Sequence, residues 1–161
     1  MRATSGRVTL RPVKRADFPK IEPWYESSLA LAHAERSLET RYADAAASSF
    51  KLLAICSKDD AEPVGLLDYR VHQPAVGWLT MVYIAVSDKR RGYGYGSEAV
   101  RALEAWGKKS HRITSFLADI SVNNGLGLYF WLRVGYRPAK ANEVFWRALD
   151  EGGIIAMVRT R

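Results

Sequence analysis

LTMVYIAVSDKRRGYGYG, residues 79–96, decides how the rest of the chain is read. Its first half is apolar and rich in β-formers: Leu79, Met81, Val82, Tyr83, Ile84 and Val86. Such a run predicts a strand buried on both faces. It breaks into Ser87, Asp88, Lys89, Arg90 and Arg91, after which Gly92, Gly94 and Gly96 recur at every second position. The next residues, 97–109, carry helical periodicity. Ala99, Ala102, Leu103 and Trp106 form one stripe, and Glu104 and Lys108 are expected to pair on the other side. The order is strand, basic glycine-rich turn, helix N-terminus.

That order has a chemical meaning. The first N–H groups of a helix lack intrahelical partners, and the helix dipole puts partial positive charge there. Glycines let backbone N–H groups approach a ligand closely, and Arg90 and Arg91 add formal charge. Together they predict a site for a phosphate or pyrophosphate. The Gly-Lys-Ser/Thr of nucleoside triphosphatases is absent. The looser dinucleotide fingerprint fits Gly94 to Ala99, with Asp119 downstream, so a nicotinamide dinucleotide enzyme is a competing reading. Against it, residues 87–91 intervene between strand and glycines, and the rest of the chain offers hairpin-like strands rather than βα units.

Arg91-Gly92-Tyr93-Gly94-Tyr95-Gly96 also fits Gln/Arg-x-x-Gly-x-Gly/Ala. In this the chain resembles the GNAT superfamily of N-acetyltransferases, where that pattern binds acetyl-coenzyme A. A second stretch, NNGLGLYFWLRVGY at residues 123–136, is similar to the family's later motif. It sets Asn124 on the family asparagine, Gly127 on the following small residue and Gly135-Tyr136 on the closing Gly-aromatic pair. Gly127 costs about 1 kcal/mol relative to alanine in a helix, which a cofactor passing against that face would explain; a loop there is the alternative. Gly135 predicts a left-handed helix stop.

The chain departs from the family at one position. The usual tyrosine, the supposed acid for the coenzyme A thiolate, is replaced by Trp131, whose indole N–H donates a hydrogen bond but does not release its proton at neutral pH. Tyr83 and Tyr129 are the candidate hydroxyls, although Tyr129 lies about 200° from Trp131 around a helix. Thr80 and Val82 stand near the place of a glutamate that many relatives carry.

The bounds agree with an ordinary globular protein. A chain of 161 residues, 48% hydrophobic and 25% charged, suggests one domain spanning 1–161. No apolar run approaches the roughly 18 residues of a membrane span, and the N-terminus lacks a signal-peptide core. Cytoplasm is the default, with no membrane partner. The net charge of 24 − 17 = +7 is scattered, so a polyphosphate cofactor accounts for the basic turn without nucleic acid. Cys56, the one cysteine, reads as a buried inert thiol, and His33, His72 and His111 have no metal-ligand spacing.

Elsewhere, alternation predicts a strand over 7–13, then a helical turn capped by Asp17 with Pro19 in its first turn. Pro23 is expected to start a second helix to about residue 37, and alanine-rich residues 37–49 favour another. Glu22 with Glu26, and Glu35 with Glu39, are spaced to share helix faces that would attract a cationic amine or simply face solvent. Trp24 and Tyr25 are pocket wall or core. Strands over 50–57, 64–72 and 79–86 with short links make an antiparallel meander. Further strands are expected over 113–122, 144–149 and 154–159, the last two joined by a turn at Gly152-Gly153.

The resemblance implies an α+β fold: a mixed, mostly antiparallel sheet of about seven strands, flanked by helices and splayed between the fourth and fifth. It implies acetyl-coenzyme A held by Ile84, Ala85, Val86, Arg91, Gly92, Tyr93, Gly94, Tyr95, Gly96, Ser97, Asn124, Gly127 and Trp131. A backbone N–H near Ala85–Val86 would hold the thioester oxygen. The implied activity is acetyl transfer to a primary amine on a small molecule or peptide by direct attack, without a metal. A module that binds acyl-coenzyme A but catalyses weakly is the other reading within the family. Acceptor, acyl length and oligomeric state, a homodimer included, stay open.

Overall fold

The computed structural model describes residues 2–32, 36–48, 50–143 and 153–160. Among the described residues, eight strands form one sheet in the order β1-β2-β3-β4-β5-β6-β8-β7. They are β1 (Ala3–Ser5), β2 (Val8–Pro12), β3 (Lys51–Ser57), β4 (Pro63–Val71), β5 (Trp78–Val86), β6 (Ser115–Ser121), β7 (Arg137–Pro138) and β8 (Ile154–Thr160). Four helices, α1 (Phe18–Ala32), α2 (Leu38–Ala47), α3 (Tyr95–His111) and α4 (Gly125–Val134), flank it. All neighbours pair antiparallel except β5 and β6. A doubly wound dinucleotide fold needs a parallel sheet, so that competing reading fails on topology.

The expected meander is β3-β4-β5, and β2 adds to its outer edge after α1 and α2. Its alternation buries two layers. Leu53, Ile55, Leu67, Leu79 and Met81 face α3, whose Ala99, Ala102 and Leu103 close that layer. Leu52, Ala54, Cys56, Leu66 and Tyr83 face α1 and α2. Each fully buried large apolar side chain contributes about 1.5–3 kcal/mol.

Several local expectations are corrected. The opening strand is a hairpin, β1 with β2. Asp17 caps a short helical turn, but from its third position rather than as N-cap: its carboxylate accepts from Lys14 N, closing a capping box on the 3-10 turn Arg15–Asp17, and also accepts from Arg11. Pro23 lies inside α1 rather than starting a new helix. It removes one backbone donor, but Ile21, Trp24 and Tyr25 bury against the sheet on both sides of it and carry the helix through. Trp24 and Tyr25 are therefore core. α3 starts two residues before Ser97. Glu104 is not paired with Lys108 at the surface: it is 4% exposed, accepts from Tyr136 Oη at 2.8 Å and meets Arg159 Nη1 at 3.2 Å. The expected strand at 144–149, the turn residue Gly152, and His33 and Glu35 lie outside the described residues. β7, the other partner of β8, was not anticipated.

Candidate functional site

β5 is paired on both edges only along part of its length. Its parallel register with β6 runs from Trp78 opposite Ser115 to Met81 opposite Ala118 and stops there. On its other edge the register slips at the same depth: Asp68 faces Tyr83, but Tyr69 faces Met81. Val82 is thus an extra residue on β5, a bulge. Beyond it β5 and β6 part, and the strand expected to be buried on both faces is open: Val82 is exposed and Ile84 to Val86 are half-buried.

The parting leaves unpaired main chain. Ser87 N donates to Val64 O at 2.8 Å. In an antiparallel ladder successive residues turn their groups to opposite edges. Ala85 therefore serves β4, while Ile84 and Val86 present N–H and C=O to the gap. Val86 O carries only a long contact from Arg91 Nη2, at 3.4 Å.

The turn sits at the mouth of that gap. Gly92 and Gly94 have φ of +85° and +88°, the left-handed region that L side chains disfavour, and their alternation curls backbone N–H groups inward. Gly94 is the N-cap of α3, and no side chain caps it. The first intrahelical bond is Glu98 N to Gly94 O, so the N–H groups of Tyr95, Gly96 and Ser97 have no partner inside the helix. The other capped helices differ: Ser37 accepts from Thr40 N at the start of α2, and Asn124 from Gly127 N at the start of α4. Arg7 braces the turn, donating to Tyr93 O at 2.5 Å and to Glu98 Oε1 at 3.0 Å. Arg90 and Arg91 are tethered to Asp60 and Asp88 on the surface, at 3.0 and 2.7 Å. Exposed pairs of this kind are worth about 0–1 kcal/mol, so both guanidiniums can exchange to an anion.

One cleft of about 1030 Å³ joins these parts. Ile84, Ala85, Val86, Arg91, Gly92, Gly94, Tyr95, Gly96, Ser97, Asn124, Gly127 and Trp131 all line it, as do Tyr83 and Tyr129. Tyr93 is 66% exposed and lies outside the lining. Asn124 is occupied locally: its Oδ1 accepts from Gly127 N at 2.8 Å. A Cβ on Gly127 would meet that side chain at 2.6 Å, so the close approach that requires glycine comes from within the chain. Trp131 is buried between Phe130 and Tyr136, with ring centroids 5.1 and 4.7 Å away. Tyr129, on the opposite side of α4, is 60% exposed.

The inner wall was not legible in the sequence. Arg41 of α2 is buried and paired with the buried Asp68 of β4. Arg41 Nε donates to Tyr25 Oη at 2.9 Å, and its guanidinium lies 4.2 Å from the Tyr83 ring centroid. Burial pushes the Asp68 carboxyl up to about 6, outweighing Arg41. Arg36, Phe50 and Arg70 line the same wall. The acidic residues expected to draw a cationic amine are elsewhere: Glu22 and Glu26 are exposed on α1, and Glu39 pairs with Arg15 at 2.5 Å. Among the described residues no group of acidic, histidine or cysteine side chains is arranged to hold a metal, and no helix is long and apolar enough to cross a membrane.

Comparison with known proteins follows the geometry. Residues 7–126 match the family model described as acetyltransferase (GNAT) domain. No curated protein matches the sequence significantly. Among solved structures, an acetyltransferase from Agrobacterium tumefaciens superposes with a TM-score of 0.76 at 18% identity, over 100% of this chain and 95% of that one. A spermidine N-acetyltransferase chimera from Vibrio cholerae gives 0.72 at 12%, over 96% of each chain. An aminoglycoside acetyltransferase in complex with coenzyme A gives 0.72 at 18%, over 96% and 95%. At these identities the likeness is one of fold.

Proposed function

Because the chain belongs to the GNAT acetyltransferase family, we propose that it transfers an acetyl group from acetyl-coenzyme A to the primary amine of a small molecule or peptide. The observation that carries this reading is the open edge of β5 beyond Met81, ending at an uncapped helix N-terminus in one cleft.

The residues present fit the cofactor. A pyrophosphate would take the free N–H groups of Tyr95, Gly96 and Ser97, with Arg91 turning from Asp88 towards it. A pantetheine arm would pair with Ile84 and Val86 as a surrogate strand. When bound, the thioester supplies an activated acetyl carbonyl and a thiolate leaving group. The chain's part is to hold and to exclude water. An N–H of the free edge, Val86 or Ile84 rather than Ala85, donates to the acetyl oxygen, a type of contact worth roughly 3 kcal/mol elsewhere. Fixing amine and thioester side by side replaces several kcal/mol of side-chain chemistry.

In the exchange a C–N bond forms, a C–S bond breaks, the amine gives its proton to solvent and the leaving sulfur takes one. Tyr129 is the proton donor to sulfur in this reading, supported by its exposure on the cleft wall where Trp131 is buried. Tyr83, packed under Arg41, positions that guanidinium. The test is direct: titrate coenzyme A by calorimetry, then follow thiol release from acetyl-coenzyme A across a panel of amines. Binding with amine-dependent release is expected. Absence of binding removes the cofactor assignment, and binding without release leaves the acyl-coenzyme A-binding module.

A further inference from the structure

Two buried polar atoms on the inner wall lack a side-chain hydrogen-bond partner among the described residues, Asp68 Oδ1 and Arg70 Nε; the backbone N–H of Tyr83 also acts on the Asp68 carboxylate. Both belong to β4, two positions apart. Leu67 and Tyr69 face α3, so Asp68 and Arg70 share the other face of the sheet, and both line the cleft. They do not satisfy one another. Asp68 spends its second oxygen on Arg41. Arg70 Nη1 donates to Gln73 Oε1 at 3.3 Å, and its guanidinium lies 5.7 Å from the Phe50 ring; neither contact neutralises its charge. Buried polar groups left without a partner are costly, more so when charged. A neighbouring acceptor and donor in a cleft wall therefore describe the ligand that completes them.

The position is right for an acceptor. Asp68 is opposite Tyr83, next to the bulge where β5 and β6 part. Gly65, opposite Val86, lies three residues back along β4, about 10 Å away at strand rise. The pair thus sits at the inner end of the gap, away from the turn assigned to pyrophosphate. Arg36 and Arg41 line the same wall. With Asp68 committed to Arg41 and Arg36 to Asp44 at 2.9 Å, Arg70 is the charge left over. Asp119, next after Ala118 on β6, lines the same cleft, so the inner end offers carboxylates to a nitrogen and Arg70 to an anion rather than one sign alone.

Resting on the acetyltransferase reading, we infer that the acceptor is an amine that also carries an anionic group, a carboxylate or phosphate a few bonds away. Its nitrogen donates to Asp68 Oδ1, and its anion accepts from Arg70. Amino acids are the simplest members of this class. The two residues select and orient the acceptor; they do not hold the cofactor.

Matched acceptors test this on the intact protein. Thiol release is measured with amino acids, their carboxamides, the decarboxylated amines, aminoalkyl phosphates and spermidine. The anionic amines are expected to exceed their neutral and polycationic counterparts in kcat/KM by about tenfold or more. The amino acid and phosphate arms identify which anion is used. R70Q should erase that advantage, R70K should retain part of it, and KM for acetyl-coenzyme A should hold in both; melting curves confirm that the variants fold. Equal or better turnover of decarboxylated amines or spermidine overturns the inference while leaving the transferase reading intact. Coenzyme A that does not bind, or no release with any amine, overturns both.

Discussion

The two ends of the cleft are built from different materials. The outer end, at the glycine turn, is main chain: free N–H groups of α3 and the unpaired edge of β5. The inner end is side chain: Arg41, Asp68, Arg70, Tyr25 and Tyr83, drawn from two helices and two strands. Main-chain donors do not depend on residue identity, so the outer end suits a ligand shared by a whole family. Side chains can be exchanged one at a time, so the inner end can differ between relatives with the same fold.

Substitutions can break the contrast. Arg41→Ala leaves Asp68 buried without its cation and should cost about 3–5 kcal/mol of stability, read by urea denaturation; a loss under about 1 kcal/mol would mean the wall is not a structural unit. Gly94→Glu puts a side chain at φ +88° with its Cβ 3.2 Å from Arg7 Nη2, and brings a carboxylate to the helix N-terminus. Two or more charge-assisted contacts of about 1.5–3 kcal/mol each are then lost, so coenzyme A affinity should fall at least about 100-fold with the fold intact. Unchanged affinity in calorimetry would empty the outer end of its role.

The contrast can also be sharpened on α4. Tyr129→Phe should lower kcat by about 100-fold, the low end for an acid–base group, and Trp131→Phe by less than about tenfold. The reverse order in steady-state assays would return the proton donor to the family's position.

The smallest expected effect is on pH dependence. Asp68 titrates at about 6 in the fold, above the roughly 4 of an unfolded chain. The folded state therefore holds the proton longer. Its contribution to stability is present below pH ~4 and is lost as pH rises through ~6. The groups around it are Arg41, Arg70, Tyr25 and Tyr83. Asp68→Asn should flatten the stability profile between those values; an unchanged slope would assign the titration to another group.

Legibility followed the same line. The meander, the apolar stripe of α3 and the stop at Gly135 were readable because each follows from local rules of alternation, periodicity and left-handed glycine. Gly92 and Gly94 announced the turn for the same reason, whereas Gly96 lies inside α3, where a Cβ would meet Phe130 at 3.2 Å. Glu104 was misread because periodicity gives a face but not what covers it, and Tyr136 and Arg159 arrive from 32 and 55 residues away. Pro23 was misread as a boundary because burial of Ile21 and Trp24 outweighs one missing backbone bond. Gly127 was recognised as constrained, but its partner is the Asn124 side chain.

By itself the sequence determined the strand–turn–helix unit and its glycine-rich turn, since those follow from residues adjacent in the chain. Only tertiary structure decided where β5 leaves β6 and which side chains close the inner wall. A bulge at Val82 is set by pairing with β4, and the meeting of Arg41 with Asp68 spans 27 residues and two elements. Contacts of that range are fixed by how layers pack, which no local pattern encodes.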